Sequence, residues 1–189
     1  MKPQMLPYLL IDDDFALNFT LLTLIINKMS LSSRKNSALD FERLQIYLYL
    51  TKNPSKINKI LSLAGKKIVP INTQYTYTIE SLSTNVDMLF EREKLKILLK
   101  ELAARGMLAC EFDNTSGVLK YLLNDNGKLF AKKVCAPFNV IEDNEKYVQN
   151  LLEQNYFTDS LEVINSLSAL QSQTNSKLNS YLNTVFKGN

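Results

Sequence analysis

The stretch Glu80–Leu123, ESLSTNVDMLFEREKLKILLKELAARGMLACEFDNTSGVLKYLL, constrains the fold of this chain more than any other. Leu95, Leu98, Leu99 and Leu102 recur at helical spacing and predict an amphipathic helix over Glu91–Arg105. Gly106 follows, the residue type that most readily takes the left-handed conformation ending a helix. Met107–Phe112 and Val118–Leu123 have strand character, and the Asp113–Gly117 stretch between them has the composition of a hairpin turn. Helix, glycine stop and hairpin, in that order, form the back half of a winged helix-turn-helix. The expected fold is mainly α with a small β-hairpin, a winged helix-turn-helix module flanked by N- and C-terminal helices.

The flanks read as helices. Asp14 is a natural N-cap for a helix over Phe15–Met29 that is apolar on most faces, so it is central or covered by a partner. Asp40 caps a second helix over Phe41–Leu50, with Phe41, Leu44, Tyr47, Leu48 and Leu50 on its inner face. Asn53-Pro54 stops that helix and starts a third, with Asn53 able to cap it and Gly65 ending it. Tyr75–Ile79 alternates like a strand, and Ser81–Phe90 fits either a separate short helix or the start of one bent helix. Asn124 or Asp125 caps a basic helix to Val134, and Ala136-Pro137 breaks it. Beyond that, Glu142–Gln154 is helical. A further helix over Asp159–Phe186 carries the stripe Leu161, Ile164, Leu167, Leu170, Leu178, Leu182 and Val185, interrupted between Gln171 and Ser176. This divides the chain into residues 1–136, N-terminal helices plus winged helix, and a helical extension over 137–189.

The chain has 189 residues and no histidine. That absence removes histidine general bases, Ser-His and Cys-His nucleophile systems and histidine metal sites. The five glycines are scattered and build no phosphate loop. The two cysteines, Cys110 and Cys135, form no pair motif. Cys110 alternates with Leu108 and Phe112, the pattern of a buried structural thiol. Asp12-Asp13-Asp14 could gather magnesium, but N-capping of the following helix explains it more simply. The apolar stretch Phe15–Leu31 contains Asn18, Thr20, Thr23, Asn27 and Lys28, too polar for a membrane span. A soluble cytoplasmic protein without catalytic groups, cofactor or metal is expected.

Two sets of residues stand out as contact candidates. Thr51–Ile79 carries Lys52, Lys56, Lys59, Lys66 and Lys67 and no acid. Ammonium groups gathered this way bind phosphates by counterion release, and Tyr75 and Tyr77 nearby could stack on bases. A solvated helix face with ordinary core tyrosines accounts for the same residues. The helix Glu91–Arg105 stands where a winged helix places its recognition helix. With its leucines inward, it presents Glu93, Lys96, Ile97, Lys100 and Glu101. Carboxylates suit a phosphate-lined groove badly, whereas an apolar spot ringed by mixed charge suits a protein. Lys120, Lys128, Lys132 and Lys133 add charge after the turn, where wing lysines can touch a DNA backbone.

Leu39-Asp40-Phe41-Glu42-Arg43-Leu44, followed by Tyr47 and Asn53-Pro54, resembles the opening signature of a bacterial family. Glu80–Asn85, Leu89–Leu95 and Arg105-Gly106-Met107-Leu108 are similar to its later segments. The family is the middle component of ABC-three-component systems, the Lamassu-like defence systems, and the resemblance spans about residues 15–135. It implies a non-catalytic adaptor joining an SMC/Rad50-like coiled-coil ATPase to an effector, often a nuclease. It also implies an assembly that senses phage or plasmid DNA, with DNA itself as a further contact and no membrane partner. The competing reading of the same residues is a dimeric winged-helix DNA-binding transcription regulator. A third is a small nuclease using Asp12 to Asp14.

Overall fold

The first helix, α1 (Phe15–Met29), is the axis on which the others pack. In the computed structural model, which describes residues 14–32, 37–71, 92–136 and 156–187, α1 touches five other elements. These are α2 (Phe41–Lys52), α4 (Arg92–Ala104), strand β2 (Val118–Leu123), α5 (Asp125–Val134) and α6 (Tyr156–Ser166). Asp14 caps it, accepting from the Leu17 amide at 3.0 Å. Leu21, Leu22, Leu24, Ile25 and Ile26 are essentially inaccessible. Burial of each such side chain contributes roughly 1.5–3 kcal/mol. Polar side chains on its buried faces bond back into the helix: Thr20 and Thr23 donate to the Ala16 and Phe19 carbonyls, each at 2.8 Å, and the Asn18 amide donates to the Asp14 carbonyl at 2.8 Å. Of the two alternatives for an all-round apolar helix, burial within the chain holds. Phe15, at the start of the helix, stays 44% exposed.

α2 is likewise enclosed. Besides Leu44, Tyr47 and Leu50, it buries Ile46 and Tyr49, because α6 and α7 (Asn175–Lys187) pack on faces that its period alone leaves open. Burial pushes the Tyr47 hydroxyl up to about 12. Pro54 opens α3 (Pro54–Leu63) as expected. Asn53 does not cap it: its amide donates back to the Tyr49 carbonyl at 3.0 Å and closes α2 instead. Gly65 (φ +65°) and Gly106 (φ +59°) end α3 and α4 with paired reverse hydrogen bonds, Lys66 to Leu61 and Met107 to Leu102 among them. Arg92 lies over the Phe41 ring at 5.2 Å and Arg105 over Phe19 at 5.4 Å, so both ends of α4 are held against the first two helices.

β1 (Leu108–Asp113) and β2 pair antiparallel, with Leu108 opposite Leu123, Cys110 opposite Tyr121 and Phe112 opposite Leu119. The sequence pattern allows two separate apolar faces, one per strand. Direct opposition puts all six residues on one face. Its base, around Leu123, enters the core, while its tip projects outward. Cys110 is therefore exposed rather than buried. The hairpin is tied to the α1–α2 connection: the Tyr121 amide donates to the Leu39 carbonyl at 2.9 Å, and the Ser37 hydroxyl donates to the Glu111 carboxylate. α5 begins at an Asn124 cap and packs so closely that a Cβ on Gly127 would lie 2.5 Å from the Met107 carbonyl oxygen.

The single long C-terminal helix expected over Asp159–Phe186 is instead α6, a 3-10 turn (Leu167–Leu170), a bend and α7. The break falls at the Gln171–Ser176 interruption of the stripe. It is the grip point of Arg43, whose guanidinium donates to the Gln171 carbonyl at 3.0 Å, the Asn175 side chain at 2.9 Å and the Gln173 carbonyl. Asn175 donates in turn to Asp40 at 2.9 Å, and Gln171 to the Met29 carbonyl at 3.1 Å. Ile164, Leu167, Leu170, Leu178 and Leu182 then complete the same core as α1 and α2. The expected strand Tyr75–Ile79, the Ser81–Phe90 segment and the helix Glu142–Gln154 lie outside the described residues.

Arg43→Ala, which leaves the bend carbonyls without their donor, is expected to cost on the order of 3 kcal/mol in urea unfolding. Asp40 adds a pH dependence. Burial alone raises its carboxyl, but the Arg43 amide, the Lys120 ammonium and the Asn175 amide outweigh burial and hold it below the ordinary 3.8. A depressed acid contributes stability that is complete above its unfolded value and lost as pH falls through its folded value. Wild-type stability should thus decline on acidification below about pH 4, and this part of the decline should vanish in Asp40→Asn.

Candidate functional site

The outward face of α4 stands as the leucine spacing predicts. Leu95, Leu98, Leu99 and Leu102 are buried, while Glu93, Lys96, Ile97 and Lys100 are exposed and Glu101 is half-buried. Ile97 is 54% exposed. The charges around it are largely used on each other: Lys96 bonds Glu93 at 2.5 Å, and Arg105 bonds Glu101 at 2.7 Å. The bond from Lys96 holds the Glu93 carboxyl below its ordinary value. A face of mutually paired charges around an aliphatic side chain attracts polyanions weakly and fits a protein surface.

The five lysines are not one surface. Lys52 ends α2, Lys56 and Lys59 lie on α3, and Lys66 and Lys67 follow its far end, ~15 Å along its axis from its start. Lys59 and Lys67 are exposed and Lys52 and Lys66 half-buried. Lys56 is buried, 7% exposed, so it does not share a free face with Lys59 as the one-turn spacing suggests. Both bonds of an amide pair, Asn58 Nδ2 to the Val69 carbonyl (3.1 Å) and Val69 N–H to Asn58 Oδ1 (3.2 Å), fold the segment after Lys67 back along α3. Tyr75 and Tyr77 lie outside the described residues.

Of the lysines after the turn, Lys120 is withdrawn from any DNA contact by its ion pair with Asp40 at 3.1 Å, where both side chains are 12% exposed. Lys128, Lys132 and Lys133 are exposed on α5, with Lys128 near Asp125 at 3.3 Å. Residue-by-residue reasoning missed the hairpin tip, where Phe112 is 62% and Leu119 40% exposed on one face. The signal was present in the Asp113–Gly117 turn, whose length sets the register and hence the facing of both strands. Partial desolvation raises the Cys110 thiol, which keeps it from being an activated nucleophile. Asp14 is occupied as the α1 cap, and Asp12 and Asp13 lie outside the described residues. Among the described residues no cluster of Cys, Asp or Glu is arranged to hold a metal, and no helix is long and apolar enough to cross a membrane.

Ile97→Ser should leave stability within about 0.5 kcal/mol of wild type, whereas Leu98→Ala, one residue on, should cost about 3 kcal/mol. Urea unfolding of the two variants separates the outward residue from its inward neighbour.

No curated protein and no solved structure matches the chain. The family profile of the ABC-three component (ABC-3C) system Middle Component 4 matches residues 29–140, from the end of α1 through the helix α5. That span holds the Asp40–Arg43 segment, all five α3-region lysines and the whole of α4. On a match covering more than half of its length, the chain belongs to the Middle Component 4 family of ABC-three component systems.

Proposed function

We propose that the chain is a non-catalytic adaptor of a Lamassu-like defence complex, joining an SMC/Rad50-like coiled-coil ATPase to a nuclease effector in the cytoplasm. Membership of a middle-component family implies partner proteins and an adaptor role in a multi-component defence system. The observation that carries the reading is the outward face of α4, where Ile97 is exposed among charges that neutralise one another. In this reading α4 and the hairpin form a winged helix-turn-helix used to dock protein, and any DNA contact falls to the α3-region lysines. The same face disfavours a transcription regulator, since Glu93 and Glu101 would meet phosphates in the groove. The total lack of histidine removes the commonest general base from the chain.

The test is co-purification of the tagged chain with the products of its neighbouring genes. A coiled-coil ATPase and a nuclease are expected in the eluate, and Ile97→Asp should reduce capture of at least one by about tenfold, equivalent to 1.4 kcal/mol. A chain that elutes alone, with affinity for neither product, overturns the proposal.

A further inference from the structure

The hairpin has one covered edge and one open edge. On the outer side of β2 the Tyr121 amide donates to the Leu39 carbonyl at 2.9 Å, so it points away from β1. Tyr121 and Cys110 are therefore a facing pair without mutual hydrogen bonds. The backbone groups of Cys110 point outward in turn, with those of Leu108 and Phe112 two residues to either side. Among the described residues the sheet has two strands, and no group bonds these outward amides and carbonyls. The usual protections of a strand edge are missing as well. β1 contains no proline, glycine or lysine, and its residues pair one to one with β2 without a bulge. Its two acids are engaged locally: Glu111 accepts from Ser37, and Asp113 accepts from Thr115 and Ser116 of its own turn. Cys110, Glu111 and Phe112 are all exposed.

An open edge with an apolar flank is completed by another strand, and the side-chain pattern of β1 fits β1 itself. Leu108 and Phe112 lie two residues either side of Cys110, and Ala109 and Glu111 lie one residue either side. An antiparallel copy centred on Cys110 sets Leu108 against Phe112 twice, Ala109 against Glu111 twice, and Asp113 against Met107. No carboxylate directly faces another, and Glu111 meets the smallest side chain of the strand. Centring the pairing on Glu111 instead sets two carboxylates face to face. Centring it on Ala109 puts Phe112 opposite Gly106, where positive φ has already ended α4. We propose that the open edge of β1 pairs with β1 of a second copy of this chain, antiparallel and centred on Cys110, to form a four-stranded sheet. Leu108, Cys110 and Phe112 of both copies then share one face, and Phe112, 62% exposed in the single chain, gains an apolar neighbour. An interface built on one short strand pair is small, so a dissociation constant on the order of 10 µM is expected. The pairing draws on neither Ile97 nor the charges of α4.

Sedimentation velocity of the full chain, over concentrations spanning that value, is the test. Wild type should pass from monomer to dimer. Phe112→Lys, which puts a charge on the edge, should weaken the association about tenfold or more. Because Phe112 is exposed, this variant should keep the wild-type urea midpoint, which separates a lost interface from a lost fold. Ile97→Asp should leave the association unchanged, so docking through α4 is tested separately. A short bismaleimide reports the register. Facing residues of a hydrogen-bonded antiparallel pair lie about 5.5 Å apart between Cα atoms, so Cys110 of one copy should be joined to Cys110 of the other. Cys135→Ser should retain the covalent dimer and Cys110→Ser should lose it. A chain that stays monomeric throughout overturns the pairing, as does a dimer that Phe112→Lys leaves intact or that is joined through Cys135. A monomeric wild type whose capture of a neighbouring gene product is lost in Phe112→Lys gives the edge to a strand of that product, and equally overturns self-pairing.

Discussion

Arg43 and Asp40 hold this structure together. They sit three residues apart at the start of α2, and each serves three partners. Asp40 caps its own helix through the Arg43 amide, pairs with Lys120 of β2 and accepts from Asn175. Arg43 sends its guanidinium to the opposite side, into the bend between the C-terminal helices. The N-terminal helices, the hairpin and the C-terminal pair therefore meet at one buried polar cluster. Such a cluster stabilises only when every member is satisfied, because a lone buried charge costs more than a paired one contributes. Here Asp40 and Arg43 each have three partners and Lys120 is paired with Asp40, and the apolar core closes around them.

This arrangement changes the meaning of the family-like segment Leu39–Leu44. An Asp and an Arg in such a segment invite a catalytic or binding interpretation, yet both side chains are committed internally and nearly inaccessible. The segment belongs to the architecture: it positions the hairpin and docks the C-terminal helices. The surfaces left over for function are elsewhere. They are the outward side of α4 and the apolar tip of the hairpin. The hairpin base and α4 are anchored to the same core, so a partner on α4 would meet a rigid platform.

The helix ends and the inward stripe of α4 were legible because their causes are local. Asp14 and Asp40 cap the helices they precede, Pro54 opens α3, and Gly65 and Gly106 close their helices with positive φ. Leucine spacing alone told which side of α4 is buried, and so placed Ile97 outside. What failed concerned residues whose surroundings come from far along the chain. Asn53 looked like a cap, but Tyr49 offers it a carbonyl first. Lys56 looked solvated because helical spacing pairs it with Lys59, and nothing in that spacing reveals what packs over it. Cys110 looked buried because alternation marks a face without saying how far the core extends beneath it.

The sequence by itself determined the caps and stops of the first helices, the hairpin, the absence of histidine chemistry and the polarity of the α4 face. Each follows from composition or from interactions spanning a few residues. Only the tertiary structure decided that α1 is an internal axis, that the C-terminal stripe is broken at Gln171 and gripped by Arg43, and that Lys120 answers to Asp40. Such contacts join residues as many as 142 positions apart, as between Gln171 and Met29. Periodicity cannot encode them. A buried cation such as Arg43 takes its meaning from the acceptors brought to it, and that choice is made when the helices pack.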